Sequence, residues 1–311
     1  MIHILFKILF TFNLNRALYI YSMKRMKWTR IVWLYGAVFF TWIVFAQCKM
    51  KFRTPDKVAK ERFEAVDVQL FTETIDAANF KLHYAKTGSD TLPTLFFVHG
   101  TPGSWMKFGK YLQDKDLLKK YRMVSIDRPG FGYSQFGEAR NLEEQSTIIS
   151  VLLKKLQNGK PIYGIGRSFG GPMIVRLAID NPGLFSGLVL LAAALDPATE
   201  KNYPWRPVLF KTPFSFFVPG AWRVSNEEQY YLKRDLEKLA EGFSTITCPV
   251  HILHGDKDGM VPVSNATYGK KMLVNAKLLY LSIIPGAHHH ISDDNYDLVK
   301  DLLMNLDQDK P

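Results

Sequence analysis

The residues best suited to chemistry are Gly166-Arg167-Ser168-Phe169-Gly170-Gly171. They follow the strand-like run IYGI and open a helix-like stretch at 169–180. A G-x-S-x-G pattern between strand and helix is a nucleophile elbow, a strained turn that lifts a serine hydroxyl clear of the backbone. The glycines are a steric requirement, because bulkier neighbours would clash with the strand and the helix. The helix N-terminus favours negative charge developing beside Ser168. A phosphate-cradling turn is disfavoured, since no phosphate fingerprint or acidic ribose partner follows.

A serine at its ordinary pKa is a poor nucleophile and needs a base, which needs an orienting acid. Downstream of VHILHG stands Gly255-Asp256-Lys257-Asp258-Gly259-Met260-Val261-Pro262. Either Asp can face the site. Asp258 is preferred, because the loop must leave the strand end before its acid turns toward a base. Asp256 is then expected to cap the turn, and Asp196 in LDPAT is a distant alternative. After the last strand-like run comes Pro285-Gly286-Ala287-His288-His289-His290-Ile291. His289 is the expected base and His288 the reserve. Three consecutive histidines cannot converge on one metal from an extended backbone, so no metal site is expected. An oxyanion would need two backbone N–H groups. Phe169 and Thr101 are the expected donors, the latter from the loop His99-Gly100-Thr101-Pro102-Gly103-Ser104. Pro102 has no N–H and stiffens that loop, and His99 is expected to hold it by hydrogen bonds. Cys248 reads as a small buried residue.

The elements that must position these residues alternate between two periodicities. Strand-like runs are VDVQLF (66–71), FKLHYA (80–85), TLFFVHG (94–100), MVSIDRPG (123–130), IYGIGRS (162–168), GLVLLAA (187–193), VHILHG (250–255) and LLYLSIIP (278–285). Several are short, continuous apolar runs, as expected of strands buried on both faces of a parallel sheet. Helical patterns fill 142–157 (behind the N-cap candidate Asn141), 169–180, 263–275 and 294–306. Alternating βαβ units imply an α/β fold with ligands at the carboxyl ends of the strands. The interval 198–249 breaks the rhythm. It has no convincing strand but many aromatics, including Tyr203, Trp205, Phe210, Phe214, Phe216, Phe217, Trp222, Tyr230 and Tyr231. Its length suggests a lid; helices packed on the sheet edge are compatible with that.

Taken in order, HGTPGS, DRPGFGYS, GRSFGG, GDKDGMVP and the histidine after the last strand resemble the α/β-hydrolase superfamily over roughly 64–308. The resemblance implies a mostly parallel eight-stranded sheet flanked by helices, with its core in 61–197 and 250–311 and a helical lid in 198–249. It implies the chain order Ser, acid, His. HGTP looks like the H-G-x-P loop of epoxide hydrolases, dehalogenases and many esterases. The first two groups use an Asp nucleophile. Ser168 stands at that position here, so acyl transfer to water is implied instead. Ser168 would attack a carbonyl with His289 as base, and the Thr101 and Phe169 amides would bind the oxyanion. No cofactor is required. Arg167 departs from the His common before the nucleophile, and His288 from the Gly usual before the catalytic His. The leading expectation is a hydrolase for an ester or related acyl bond of a small, apolar substrate. A proline-iminopeptidase-like peptidase is the second reading; it needs an acidic lid pocket, and Glu227, Glu228 and Glu237 otherwise read as a solvated helix face. A non-catalytic binding protein on the same fold is the third.

The chain has 311 residues, 47% hydrophobic and 22% charged, with a formal charge of +11. These are globular values, which exclude a disordered chain. Residues 1–60 hold 11 Lys and Arg against one acid, Asp56. The other 251 hold 29 basic and 28 acidic groups, so the body is near neutral and nucleic acid is not an expected partner. Two cysteines make no disulfide framework. Residues 31–46 are uncharged and follow Lys24, Arg25, Lys27 and Arg30. That is the form of a signal or membrane anchor, and residues 1–60 are read as that region. The run ends at Phe45-Ala46-Gln47-Cys48, which resembles a bacterial lipoprotein signal with Cys48 as the lipidated residue. An uncleaved anchor or a buried helix are the alternatives. Residues 1–22 read as a start-site extension before Met23 or Met26, or as a second membrane segment. The expected location is a bacterial cell envelope, at the membrane. Mass spectrometry of the native N-terminus separates the two readings of residues 1–22: a start at Met23 or Met26 shows the start-site extension, and a start at Met1 the second membrane segment.

Overall fold

The computed structural model describes residues 27–48, 50–201 and 203–308. Contacts divide the chain after Cys48 into two units. In the first, α1 (Lys27–Cys48) is one helix of 22 residues, long and apolar enough to cross a membrane by length and composition. It is longer than the uncharged run, and at 1.5 Å per residue it measures about 33 Å. Its side chains are almost all exposed, unlike those of a core helix. The start-site expectation for residues 1–22, Met23 and Met26 lies outside the described residues.

The second unit starts before residue 61, the boundary expected of the core. Helix α2 (Asp56–Glu64) already buries Ala59 and Phe63 in the body. The strands are β1 (Phe71–Ala77), β2 (Phe80–Thr87), β3 (Thr94–Val98), β4 (Arg122–Ile126), β5 (Ile162–Arg167), β6 (Gly187–Leu191), β7 (Val250–Gly255) and β8 (Leu279–Ile284). They form one sheet in the order β1-β2-β4-β3-β5-β6-β7-β8. The first two pairings, β1 with β2 and β2 with β4, are antiparallel, and the rest are parallel. Every residue of β3 to β7 is buried. That is why those runs read as continuously apolar. Two large apolar clusters cover the two faces of the sheet.

The remaining helices are α3 (Gly109–Leu112), α4 (Lys115–Lys120), α5 (Leu142–Leu156), α6 (Gly170–Asp180), α7 (Val208–Lys211), α8 (Gly220–Ala240), α9 (Ser264–Met272), α10 (Ile291–Asp294) and α11 (Tyr296–Asn305). Asn141 caps α5 as expected. Its side chain accepts from the Glu144 amide while the Glu144 carboxylate accepts from the Asn141 amide.

The first strand differs from expectation. β1 is the polar FTETIDA of Phe71–Ala77, not the run 66–71. Ala78 and Asn79 both have positive φ, +50° and +61°, and make a two-residue hairpin turn. That turn fixes the register from Ala77↔Phe80 to Phe71↔Lys86, and β2 ends at Thr87, so residues 66–69 run past the end of their partner strand. Val68 and Leu70 are buried as a loop instead. Among the described residues of 198–249 there are helices, α7 and α8 among them, and no strand. Leu232, Leu236 and Leu239 of α8 pack into the larger core.

Candidate active site

Ser168 sits between β5 and α6 with φ of +54°, in the left-handed region that non-glycine residues rarely adopt. The turn is that tight because three chains meet there. A Cβ on Gly166 would lie 2.2 Å from the Gly170 carbonyl oxygen, and one on Gly170 would lie 2.1 Å from that of Val98 at the end of β3. The Ser168 amide donates to the Leu191 carbonyl at 2.9 Å, which holds the turn against β6.

The loops after β7 and β8 meet this turn. The Ser168 hydroxyl lies 3.0 Å from His289 Nε2, and His289 Nδ1 lies 2.7 Å from Asp258 Oδ2. With Asp258 ionised, Nδ1–H donates to the carboxylate and Nε2 is left to accept from the serine. The structure therefore brings together Ser168, Asp258 and His289. Asp256 points elsewhere and accepts from the Gly286 amide at 2.7 Å, a turn-capping role. His288 is exposed and bonds the Lys257 carbonyl. Asp196 caps its own turn through the Ala198 amide.

The Asp258 side chain is shut off from solvent. Burial alone would raise its pKa. Hydrogen bonds from His254 and His289 and the Val261 amide outweigh that and hold the carboxyl well below the usual carboxylate range. His254 was not singled out from sequence. It stands at the end of β7 with Nε2 3.3 Å from Asp258 Oδ2 and 3.0 Å from the Val261 carbonyl. Its spacing, four residues before Asp258 at a strand end, was the available signal.

On the opposite side of Ser168 lies the loop after β3. A Cβ on Gly100 would come 2.9 Å from the Ser168 Cβ, so the loop runs directly over the serine. Neither the Thr101 nor the Phe169 amide donates to a backbone carbonyl among the described residues. His99 is buried and accepts at Nε2 from the Arg128 amide at 3.0 Å, which leaves Nδ1–H to donate to the Gly100 carbonyl at 2.6 Å. Burial, then the Arg128 charge, pushes its pKa well below that of a free imidazole, so it is a neutral brace.

The structure corrects the expectation for Glu228. Glu228 is not a solvated face: it is buried and bidentate with Arg128 at 2.8 Å. Arg128 Nε and Nη2 donate to the carbonyls of His99 and Gly100. Helix α8 is thereby tied by one ion pair to the loop over the serine. Arg167 turns away from the sheet to Ser292 Oγ at 3.0 Å, Asp293 Oδ2 at 2.6 Å and His290 Nδ1.

A cavity of about 70 Å³ opens beside Ser168, lined by the 100–102 loop, Lys107, Arg167, Met260, His289 and His290. None of these residues comes from 198–249. Of that segment's aromatics, Tyr203, Trp205, Phe214, Phe216, Phe217 and Trp222 are exposed, while Phe210, Tyr230 and Tyr231 are half-buried against one another, so none of them is placed in this cavity.

The profile of the alpha/beta hydrolase fold matches residues 93–217. The chain is 30% identical to Epoxide hydrolase 1 of Caenorhabditis elegans over 112 residues, which cover 35% of this chain and 27% of that protein. It is 27% identical to the mitochondrial palmitoyl-protein thioesterase ABHD10 of Homo sapiens over 186 residues, covering 55% of this chain and 58% of that one. The chain thus spans less than two thirds of either relative. The monoacylglycerol lipase of Paleococcus ferrophilus superimposes with a TM-score of 0.59 at 20% identity, over 72% of this chain and 99% of the lipase. The chain has the α/β-hydrolase fold, and residues 93–217 carry that family's profile.

Two outcomes follow. Glu228→Ala leaves the buried Arg128 charge unpaired, a loss of about 3–5 kcal/mol and roughly 10 °C in thermal midpoint. Glu237→Ala on the exposed face is expected to move the midpoint little. Equal midpoints for the two variants would contradict the role given to the pair. For Asp258, a folded pKa below the unfolded value of about 4 contributes stability above that pH, which is lost as the pH falls below it. The wild-type thermal midpoint is therefore expected to fall more steeply from pH 6 to pH 3 than that of Asp258→Asn, as followed by circular dichroism.

Proposed function

We propose that this protein is a serine hydrolase that cleaves an ester or related acyl bond, tethered to a membrane through its N-terminal segment. The observation that carries the reading is the unbroken hydrogen-bond path from Asp258 through His289 to the Ser168 hydroxyl. His289 Nε2 takes the serine proton as Oγ attacks the acyl carbon, and Asp258 stabilises the imidazolium that results. The Thr101 and Phe169 amides face the oxygen that becomes negative. His289 returns the proton to the departing alcohol or thiol. Water then attacks the acyl-enzyme with His289 again as base, releasing the acid and restoring Ser168.

The nucleophile argues against epoxide opening despite the epoxide hydrolase among the relatives. A carboxylate opens the ring to an ester that water can cleave. A serine would give an ether, which has no acyl carbon for water to attack. Thioester cleavage, in the name of the human relative, fits the same steps. The peptidase reading is weakened by Glu228, whose charge is already neutralised by Arg128 and unavailable to a substrate amino group. A cavity of about 70 Å³ favours a short acyl group.

A fluorophosphonate probe is expected to label the wild type at Ser168 and to leave Ser168→Ala unlabelled. Ester hydrolysis should fall about 10⁴-fold or more in that variant. Among p-nitrophenyl esters, acetate and butyrate are expected to outrun palmitate. Turnover of aminoacyl-naphthylamides without turnover of esters would move the assignment to a peptidase, and a wild type that takes no label would refute the serine mechanism.

A further inference from the structure

The exposed aromatics of 198–249 do not line the cavity beside Ser168. Trp205, Phe214 and Trp222 are 53%, 63% and 41% exposed, and Tyr203, Phe217 and Val208 are exposed beside them in the chain. Scattered single aromatics are ordinary on a soluble surface, whereas a concentration of this kind marks a face that meets something apolar.

A second observation indicates what it meets. The residues immediately after α1 are pinned to the same corner of the body. The Ala221 amide, in the first turn of α8, donates to the Met50 carbonyl at 3.2 Å. Phe52 packs against Phe131, Ala221 and Val224. The Lys51 ammonium stands 5.3 Å from the Phe136 ring, and the Arg53 guanidinium 4.8 Å and 4.9 Å from the Tyr133 and Phe136 rings. Arg53 Nε also donates to the Gly132 carbonyl. Trp222 is the next residue after Ala221, and Phe214 and Phe217 precede the helix by a few residues. The first described residues of the second unit thus lie beside the start of α8 and its exposed aromatics.

Either route of tethering leads to the same corner. Met50 is two residues beyond Cys48, a reach of at most about 7 Å. An uncleaved α1 and a lipid on Cys48 both leave residue 50 at the bilayer surface. Trp, Tyr and Phe favour that interface, where rings enter the acyl boundary while polar edges stay wet. The exposed Lys211, within the same stretch, suits an anionic headgroup layer.

We propose that the surface carrying Phe214 and Trp222, beside the start of α8, is a lipid-docking surface, seated in the interface of the membrane to which the N-terminal segment is tethered. The inference rests on the tether reading but not on the serine mechanism. It gives the seating a consequence for the site. Gly220 to Glu228 is eight residues of helix, about 12 Å, and Glu228 holds Arg128 over the cleft loop. One helix therefore links the lipid-facing corner to the residues around Ser168.

The test uses the full chain, uncleaved, in a Cys48→Ser, Cys248→Ser background, reconstituted into mixed phosphatidylcholine–phosphatidylglycerol vesicles that contain a nitroxide lipid. An NBD fluorophore is attached at Phe214→Cys, at Trp222→Cys or at Val274→Cys. Val274 is 70% exposed and lies before β8, at the edge of the sheet opposite the cleft. The first two labels are expected to be quenched severalfold more than the third. Chains that float with the vesicles but show equal quenching at all three sites overturn the seating and leave the tether standing. Chains that fail to float overturn both. Energy transfer between labelled copies in place of lipid quenching assigns the face to a second copy and also overturns the proposal.

Discussion

Ser168 is held at φ of +54° by the close meeting of β3, β5, β6 and the first turn of α6. A left-handed non-glycine residue costs about 1–3 kcal/mol. That cost is carried by five strands buried on both faces. In return the hydroxyl stands clear of the backbone, at the carboxyl edge of the sheet and at a helix N-terminus. Gly166 and Gly170 are the visible sign of the constraint, because a side chain at either position would strike a carbonyl oxygen. Everything else around the site is arranged to meet that one atom.

Two buried charges do much of the arranging. Asp258 receives donors from two histidines and two backbone amides, so its charge survives burial and can orient His289. Arg128 does the equivalent on the other side of the serine. Its guanidinium is held by Glu228 and spends its remaining donors on Gln145 and on the carbonyls of the loop over Ser168. A buried ion pair is not a strong source of stability by itself. Its value here is positional, since the partners lie 100 residues apart and join α8 to the cleft.

The segment 198–249 shows how the same residues can be read in two ways. Aromatic content alone is compatible with a substrate pocket, a core or a surface that meets lipid. A strandless, aromatic segment suggests helices, but it does not say which face of α8 is covered. Glu228 looked like its neighbours Glu227 and Glu237, and only the packing of α8 against Arg128 and Gln145 set it apart. The polar strand β1 was missed for a related reason. It is an edge strand with an exposed face, so it lacks the apolar run that marks the buried strands, and its register follows from a hairpin turn.

The amino-acid sequence by itself determined the alternating α/β order, the elbow around Ser168 and the loops that carry Asp258 and His289. These are local features: a glycine pattern, an apolar run of strand length, an acid or a histidine just beyond a strand. Tertiary structure decided which neighbours converge. It separated Asp258 from Asp256 and His289 from His288 by the direction each loop takes off its strand, gave His254 a share of the carboxylate, and paired Arg128 with Glu228. Those outcomes depend on distances of a few ångströms between segments far apart in the chain, and no periodicity in either segment encodes them.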